Sequence, residues 1–274
     1  MRLATLRTGR GTVAVRVEAD HLVTLPATDV GDLLGRADWR TVAAADGPTL
    51  PLVGAEFATL VPTPSKVVCV GLNYRTHIQE MGRPLPDHPT LFPKFADALI
   101  GPTDPIVRPH ETGEFDWEAE LVVVIGAPVR RVTGAAAEAA IAGFTIMNDV
   151  TCRDWQFRTR EWTQGKNWDS TTPVGPYLVT PDEVGGVRPS LAISTTVDGV
   201  VMQSDTTGDL LFDPVDLVSY VSTMIRLNPG DLIATGTPGG VGHARKPPVY
   251  LAAGQRVVCS IDGIGSTDNL VVSG

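Results

Sequence analysis

Phe115-Asp116-Trp117-Glu118-Ala119-Glu120 runs without a break into Leu121-Val122-Val123-Val124-Ile125. The continuous apolar half predicts a buried strand. In a strand, residues two apart share a face, about 6.6 Å apart along the chain. Asp116, Glu118 and Glu120 are therefore expected to point the same way. Three carboxylates on one face repel, and Glu120 abuts the apolar run. Packing alone does not favour this, whereas a bound cation offsets both the repulsion and the desolvation. With no Cys or His nearby, an all-oxygen ligand set favours a hard ion, Mg²⁺, Mn²⁺ or Ca²⁺. The bland alternative is a solvated sheet edge with scattered acids.

The 274 residues suit one large domain, or one plus a small appendage. Hydrophobic residues at 43% and charged residues at 19% exclude a disordered chain. The formal charge of −9 argues against nucleic-acid and anionic-membrane partners. No apolar run approaches the roughly 18 residues of a membrane span. The N-terminus, MRLATLRTGRG, has no apolar core of a secretory signal. Cys69, Cys152 and Cys259 are far apart and odd in number, which argues against a CxxC metal site and a disulfide framework. The expectation is a reduced, cytoplasmic enzyme. Gly 28 and Pro 22, without period, predict a loop-rich and strand-rich fold.

Outward from the acidic strand, residues 1–62 read as a small unit. Arg2–Arg7, Thr12–Glu18 and His21–Leu25 are candidate strands, and Asp29–Leu34 a helical turn or two. Val61-Pro62-Thr63-Pro64 is a stiff connector and the candidate boundary. Lys66–Val70 predicts a strand and Asn73–Met81 a short helix. Gly82–Pro93 holds four prolines, so no regular structure is expected there, and it reads as a lid or binding loop. Ala135–Ala142 predicts a helix and Phe144–Met147 a strand. Asp198-Gly199 between Leu191–Val197 and Val200–Gln203 is a hairpin signal. Asp213-Pro214 opens a helix whose apolar face is Leu217, Val221, Met224 and Ile225. Leu232–Ala234 and Val257–Ile261 close the chain as strands. Gly165-Lys166 is followed by Asn167, so there is no P-loop. Gly236-Thr237-Pro238-Gly239-Gly240-Val241-Gly242 is not a dinucleotide fingerprint, and GxSxG and HExxH are absent.

Further reactive groups follow the acidic strand. Asp149 offers another carboxylate at a strand end. If the next residues are helical, Arg153 and Gln156 share a face, a cation and an amide suited to a small carboxylic acid. Lys166 sits amid aromatic residues, where a buried lysine near a metal acts as electrophile or proton donor. His77 and Glu80 are three apart on a helical turn, so the carboxylate can orient the imidazole. The bland readings are a polar helix, a solvated lysine and a surface His–Glu pair.

The runs FDWEAELVVVIG, NDVTCRDWQ, WTQGKNWDSTTPVGPYLVT and GDLIATGTPGGVGHARKPPVYL, with LNYRTHIQEM before them, resemble the fumarylacetoacetate hydrolase family, in the family's order, over roughly residues 63–274. The resemblance implies an α+β, mainly β fold, a mixed β-roll in a homodimer, with residues 1–62 as a small N-terminal β-rich domain and 63–274 as the catalytic domain. It implies a divalent ion, Mg²⁺ or Mn²⁺, held by Glu118, Glu120 and Asp149. It assigns Tyr74, Arg153, Gln156, Gly236 and Thr237 to substrate binding, and His77, Glu80 and Lys166 to catalysis, with Glu80 orienting His77 to activate water. Cys152 departs from the family, where a small residue is expected, and reads as an apolar substitute.

The chemistry implied is metal-dependent hydrolysis of a C–C bond in a 2,4-dioxo acid of acylpyruvate or fumarylpyruvate type, giving pyruvate and a carboxylic acid, as in catabolism of aromatic compounds or sugar acids. Water adds to the distal carbonyl, the C3–C4 bond breaks, and the metal and Lys166 stabilise a pyruvate enolate. Oxaloacetate decarboxylation and dienedioate isomerisation or decarboxylation pass through related species and stay open. A silent metal-binding paralogue is the reading from another class, and the retained His77, Glu80, Lys166 and carboxylates argue against it.

Overall fold

The computed structural model describes every residue except Met81 and Arg83, and of Glu80 the backbone alone. Its centre is the apolar run read above. Ala119–Ile125 is a strand with every residue buried, and so is its antiparallel neighbour Ile141–Asn148. Leu121, Val123 and Ile125 pack into one core, Val122 and Val124 into another. A strand covered on both faces has no reason to alternate polar with apolar, which is why this segment is unbroken hydrophobic sequence.

These two strands lie within a ten-stranded sheet. Its order is Thr49–Pro51, His21–Thr24, Gly11–Val17, Arg2–Thr8, Tyr177–Val179, Ile141–Asn148, Ala119–Ile125, Leu232–Ala234, Val67–Gly71, Thr90–Lys94. All pairs are antiparallel except Leu232–Ala234 with Val67–Gly71. A second sheet has the order Val200–Thr206, Ala192–Val197, Arg256–Ile261, Gly265–Ser273, Ile106–Arg108, and its Ile193, Val257, Cys259, Ile261 and Val271 join the same core as Leu121. The molecule is mainly β, with several sheets. Residues 1–62 contribute four strands to the large sheet through the pairing of Arg2–Thr8 with Tyr177–Val179, and helix Val30–Leu34 packs on the core that holds Val122.

The hairpin turns at Asp198-Gly199 with φ of 50° and 78°, the left-handed pair that a two-residue turn requires. Helix Pro214–Met224 starts at a capping box formed by Asp213 and Asp216. Three expectations need correction. Within Gly82–Pro93, residues from Thr90 onward join strand Thr90–Lys94, with Pro93 paired opposite Val68. This is an edge strand, where a missing N–H on the open side leaves no ladder bond unmade. The helix expected over Ala135–Ala142 ends at Ala139, because Ile141 and Ala142 are taken into the central sheet. Met224 and Ile225 lie outside the buried stripe of the last helix, 58% and 44% exposed, and Val218 takes their place beside Leu217 and Val221.

Candidate metal centre and its cavity

Asn148 pairs opposite Ala119, so the next residue of each strand end, Glu118 and Asp149, come side by side. Asn148 Oδ1 accepts the Glu118 N–H at 2.9 Å, and the Glu118 carbonyl accepts the Asp149 N–H at 2.8 Å. Glu120, two residues on, faces the same way. Ligand oxygens of Glu118, Glu120 and Asp149 all lie within 4.8 Å of one another, and all three residues are buried. Asp116 does not join them. The ladder is interrupted at Trp117–Glu118, since Phe115–Asp116 pairs instead with Thr151–Cys152, so alternation does not carry back to Asp116. Its carboxylate accepts Arg153 Nε at 2.8 Å and the backbone N–H groups of Gly242 and His243 at 2.7 and 3.0 Å.

Three buried cations surround the cluster. Lys166 Nζ lies 2.7 Å from both Glu118 Oε2 and Asp149 Oδ2. Arg153 Nη2 lies 2.7 Å from Glu118 Oε1. Lys94 Nζ lies 2.9 Å from Asp149 Oδ1 and donates to Thr172 Oγ1 at 2.7 Å. Burial opposes charge on Lys166, but Asp149 and Glu118 overcome it and hold its pKa above the ordinary lysine value. Burial likewise opposes charge on Arg153, and Asp116 and Glu118 overcome it. Burial works against ionised Asp149 too, yet Lys166 and Lys94 hold its carboxyl below the usual range.

Glu120 is the exception. It accepts the Gly236 N–H at 2.8 Å and makes no ion pair among the described residues. Burial, then the Asp149 and Glu118 charges, push its carboxyl well above the usual range. Four carboxylates (Asp116, Glu118, Glu120, Asp149) face three cations (Lys94, Arg153, Lys166), so one negative charge is unbalanced. A proton on Glu120 or an added cation supplies the balance. Three converging carboxylate oxygens with no sulfur or imidazole among them fit a hard divalent ion.

A cavity of about 370 Å³ opens onto the cluster. Glu118, Glu120, Arg153, Gln156 and Lys166 line its buried floor, and Val70, Phe92 and Trp162 its apolar wall. The short helix Arg153–Gln156 places both side chains inward, with Arg153 Nη1 donating to Gln156 Oε1 at 2.9 Å. His77, on helix Arg75–Glu80, lines the same cavity and is buried. The Glu80 side chain, its expected partner, lies outside the described residues. Thr237 lines the cavity, its hydroxyl donating to the Ala119 carbonyl at 2.9 Å. Gly236 sits behind Glu120 with φ of 98°, and a Cβ there would meet the Val70 carbonyl at 2.9 Å. Tyr74 is sealed in the core rather than on the cavity wall. Cys152 is buried at the start of the Arg153 helix, and burial pushes its thiol up to about 12, so it behaves as an apolar filler.

Residue patterns missed Lys94, Phe92, Trp162, Arg160 and His243. Lys94 and Phe92 lie on the unexpected edge strand. The remaining three gave no signal beyond their type.

A model of the fumarylacetoacetate (FAA) hydrolase C-terminal family matches residues 66–272. The chain belongs to this family. It is 45% identical over 235 residues to a mitochondrial oxaloacetate tautomerase of Bos taurus, covering 85% of this chain and 74% of that one. Among solved structures, fumarylacetoacetate hydrolase from Exiguobacterium antarcticum superposes with a TM-score of 0.89 at 33% identity, covering all of both chains. A 5-carboxymethyl-2-hydroxymuconate delta-isomerase from Mycobacterium smegmatis gives 0.83 at 33%, covering 100% of this chain and 99% of that one. The fold is that of the family, and the relatives so named are enzymes. The family and the mainly β fold expected from the sequence both hold. None of the helices is long and apolar enough to cross a membrane, among the described residues.

Proposed function

We propose that the protein is a divalent-metal-dependent tautomerase acting on a 2-oxo dicarboxylic acid, with oxaloacetate as the substrate. The observation that carries this reading is the 45% identity to an oxaloacetate tautomerase over a stretch that includes the buried triad. Glu118, Glu120 and Asp149 would hold a divalent ion, which when bound would supply Lewis-acid polarisation at the substrate's 2-oxo group. Arg153 and Gln156 orient the substrate carboxylate on the cavity floor. Lys166, a cation on the same floor, stabilises negative charge that develops on the 2-oxo oxygen. His77 takes a proton from C3, leaving an enolate, and protonation at oxygen then gives the enol. The reverse path returns the proton to carbon. No bond between carbons breaks and no water is consumed.

The second reading is the C–C hydrolase. It is favoured by the place of His77, on the wall of the cavity that holds the carboxylates, where an imidazole also suits activation of water. The test follows enol-oxaloacetate absorbance and pyruvate release side by side, in metal-loaded and chelator-treated protein. Faster keto–enol equilibration that requires Mg²⁺ or Mn²⁺, without pyruvate, is the expected result. Pyruvate release from acylpyruvates without any such acceleration overturns the tautomerase reading in favour of the hydrolase. Full activity in metal-free protein overturns the metal requirement.

A further inference from the structure

Charges on the cavity wall are unevenly satisfied. On the floor, Lys166 and Arg153 are each held by carboxylates at 2.7 Å. At the rim, the His243 ring meets Tyr250 Oη at 3.1 Å and Phe157 at 5.2 Å between centroids. Arg160 also lines the cavity and is exposed. Among the described residues its guanidinium makes no hydrogen bond, ion pair or ring contact. Its neighbour Arg158 is instead stacked 3.4 Å over the Trp155 ring. The local cause is a turn after the Arg153–Gln156 helix. Thr159 Oγ1 donates to the Glu161 carbonyl at 3.1 Å and accepts the Glu161 N–H at 3.2 Å, which sets Arg160 at the crest.

A chain of formal charge −9 repels a dianion, so a dianionic substrate needs local positive charge beyond that already neutralised on the floor. A guanidinium without a counter-ion supplies it, in a fork that matches a carboxylate. We propose that Arg160 receives the distal carboxylate of a 2-oxo dicarboxylic acid whose 1-carboxylate and 2-oxo group lie on the floor. Arg160 thereby sets selectivity for diacids over monoacids. This rests on the reading that the cavity takes a 2-oxo acid. A cavity of about 370 Å³ holds a four-carbon diacid with the metal in place.

Malate and lactate make a matched pair of unreactive probes. Both carry a 1-carboxylate and a 2-hydroxyl, and malate alone has the distal carboxylate. Oxalate probes the floor by itself. Titration calorimetry on Mg²⁺-loaded protein is expected to show malate bound about ten- to hundredfold more tightly than lactate, the range of a charge-assisted bidentate contact. Arg160→Gln should remove most of that advantage and leave lactate and oxalate unchanged, while Arg160→Lys should keep part of it. Equal malate and lactate affinities in the unaltered protein, undetectable malate binding, or an undiminished advantage in Arg160→Gln each overturns the proposal. If the advantage disappears in Arg160→Gln but no tautomerisation occurs, the anion subsite stands and the reaction reading falls. If tautomerisation occurs and Arg160→Gln changes nothing, the subsite falls and the reaction stands.

Discussion

Lys94 holds its ammonium fully buried between Asp149 Oδ1 and Thr172 Oγ1. Lys94→Met keeps the stem but removes one of two cations that keep Asp149 ionised. Breaking such a buried pair costs about 3–5 kcal/mol. Urea unfolding of metal-free protein should report a loss of that order, reduced when Asp149→Asn is added to the same chain. Unchanged stability in the single variant would mean that the pair contributes nothing. At His77 the expectation is kinetic. A general base contributes about 10²–10⁴-fold, so His77→Ala should lose that much of the metal-dependent rate with Mg²⁺ affinity unchanged. A full rate in His77→Ala assigns the proton transfer elsewhere. These two residues differ in legibility. His77 stands out beside Glu80 in the chain, whereas Lys94 follows a proline on an edge strand and has no local signal.

Among elements, the loop after strand Leu232–Ala234 decides how Glu120 is presented. Gly236 takes φ of 98° within reach of the Val70 carbonyl, and its N–H fixes Glu120. Gly236→Ala combines backbone strain of about 1–3 kcal/mol with that clash. Gly254, with φ of 90° and open space around it, provides the control. Thermal melts should show a larger loss for Gly236→Ala than for Gly254→Ala, and only the former should weaken Mg²⁺ binding. Equal losses with unchanged metal affinity would mean that the loop does not position Glu120. At this scale the acidic strand was half legible. Alternation places Glu118 and Glu120 together, as read. It fails for Asp116, because the ladder partner changes from Asn148 to Thr151 across Trp117–Glu118.

For the whole molecule, the Arg7–Asp104 pair ties the first strand to the loop ahead of Ile106–Arg108, with Nη1 to Oδ1 at 2.6 Å. Partial burial raises the Asp104 carboxyl, but the Arg7 hydrogen bond and charge outweigh it and hold the pKa below the usual value. A depressed folded pKa adds stability above the unfolded pKa, near 4, and that stability is lost as pH falls through the folded value. Stability of the unaltered protein should therefore fall more steeply below about pH 4 than that of Asp104→Asn. Parallel acid-unfolding curves would refute the linkage. The homodimer implied by the family resemblance is a further proposal at this scale, and sedimentation should give twice the 29.1 kDa chain mass. A monomer at micromolar concentration counts against it.

The sequence by itself determined the elements whose signals are local. The apolar run after Glu120, the Asp198-Gly199 turn and the Asp213-Pro214 helix start all follow from neighbours within a few residues. So did the Glu118–Glu120 pair, since a two-residue period sets a shared face. Only the tertiary structure decided what meets that face. Family resemblance had named Asp149 and Lys166, 17 residues apart, but no local pattern joined them to Glu118, and Lys94 comes from an edge strand whose prolines had argued against one. Asp116 was turned to Arg153, and Arg160 was left at the rim without a counter-ion among the described residues. Local pattern encodes which way a side chain points. Which distant charge balances it depends on sheet order and loop path, and these are set by burial on both faces of the central strands.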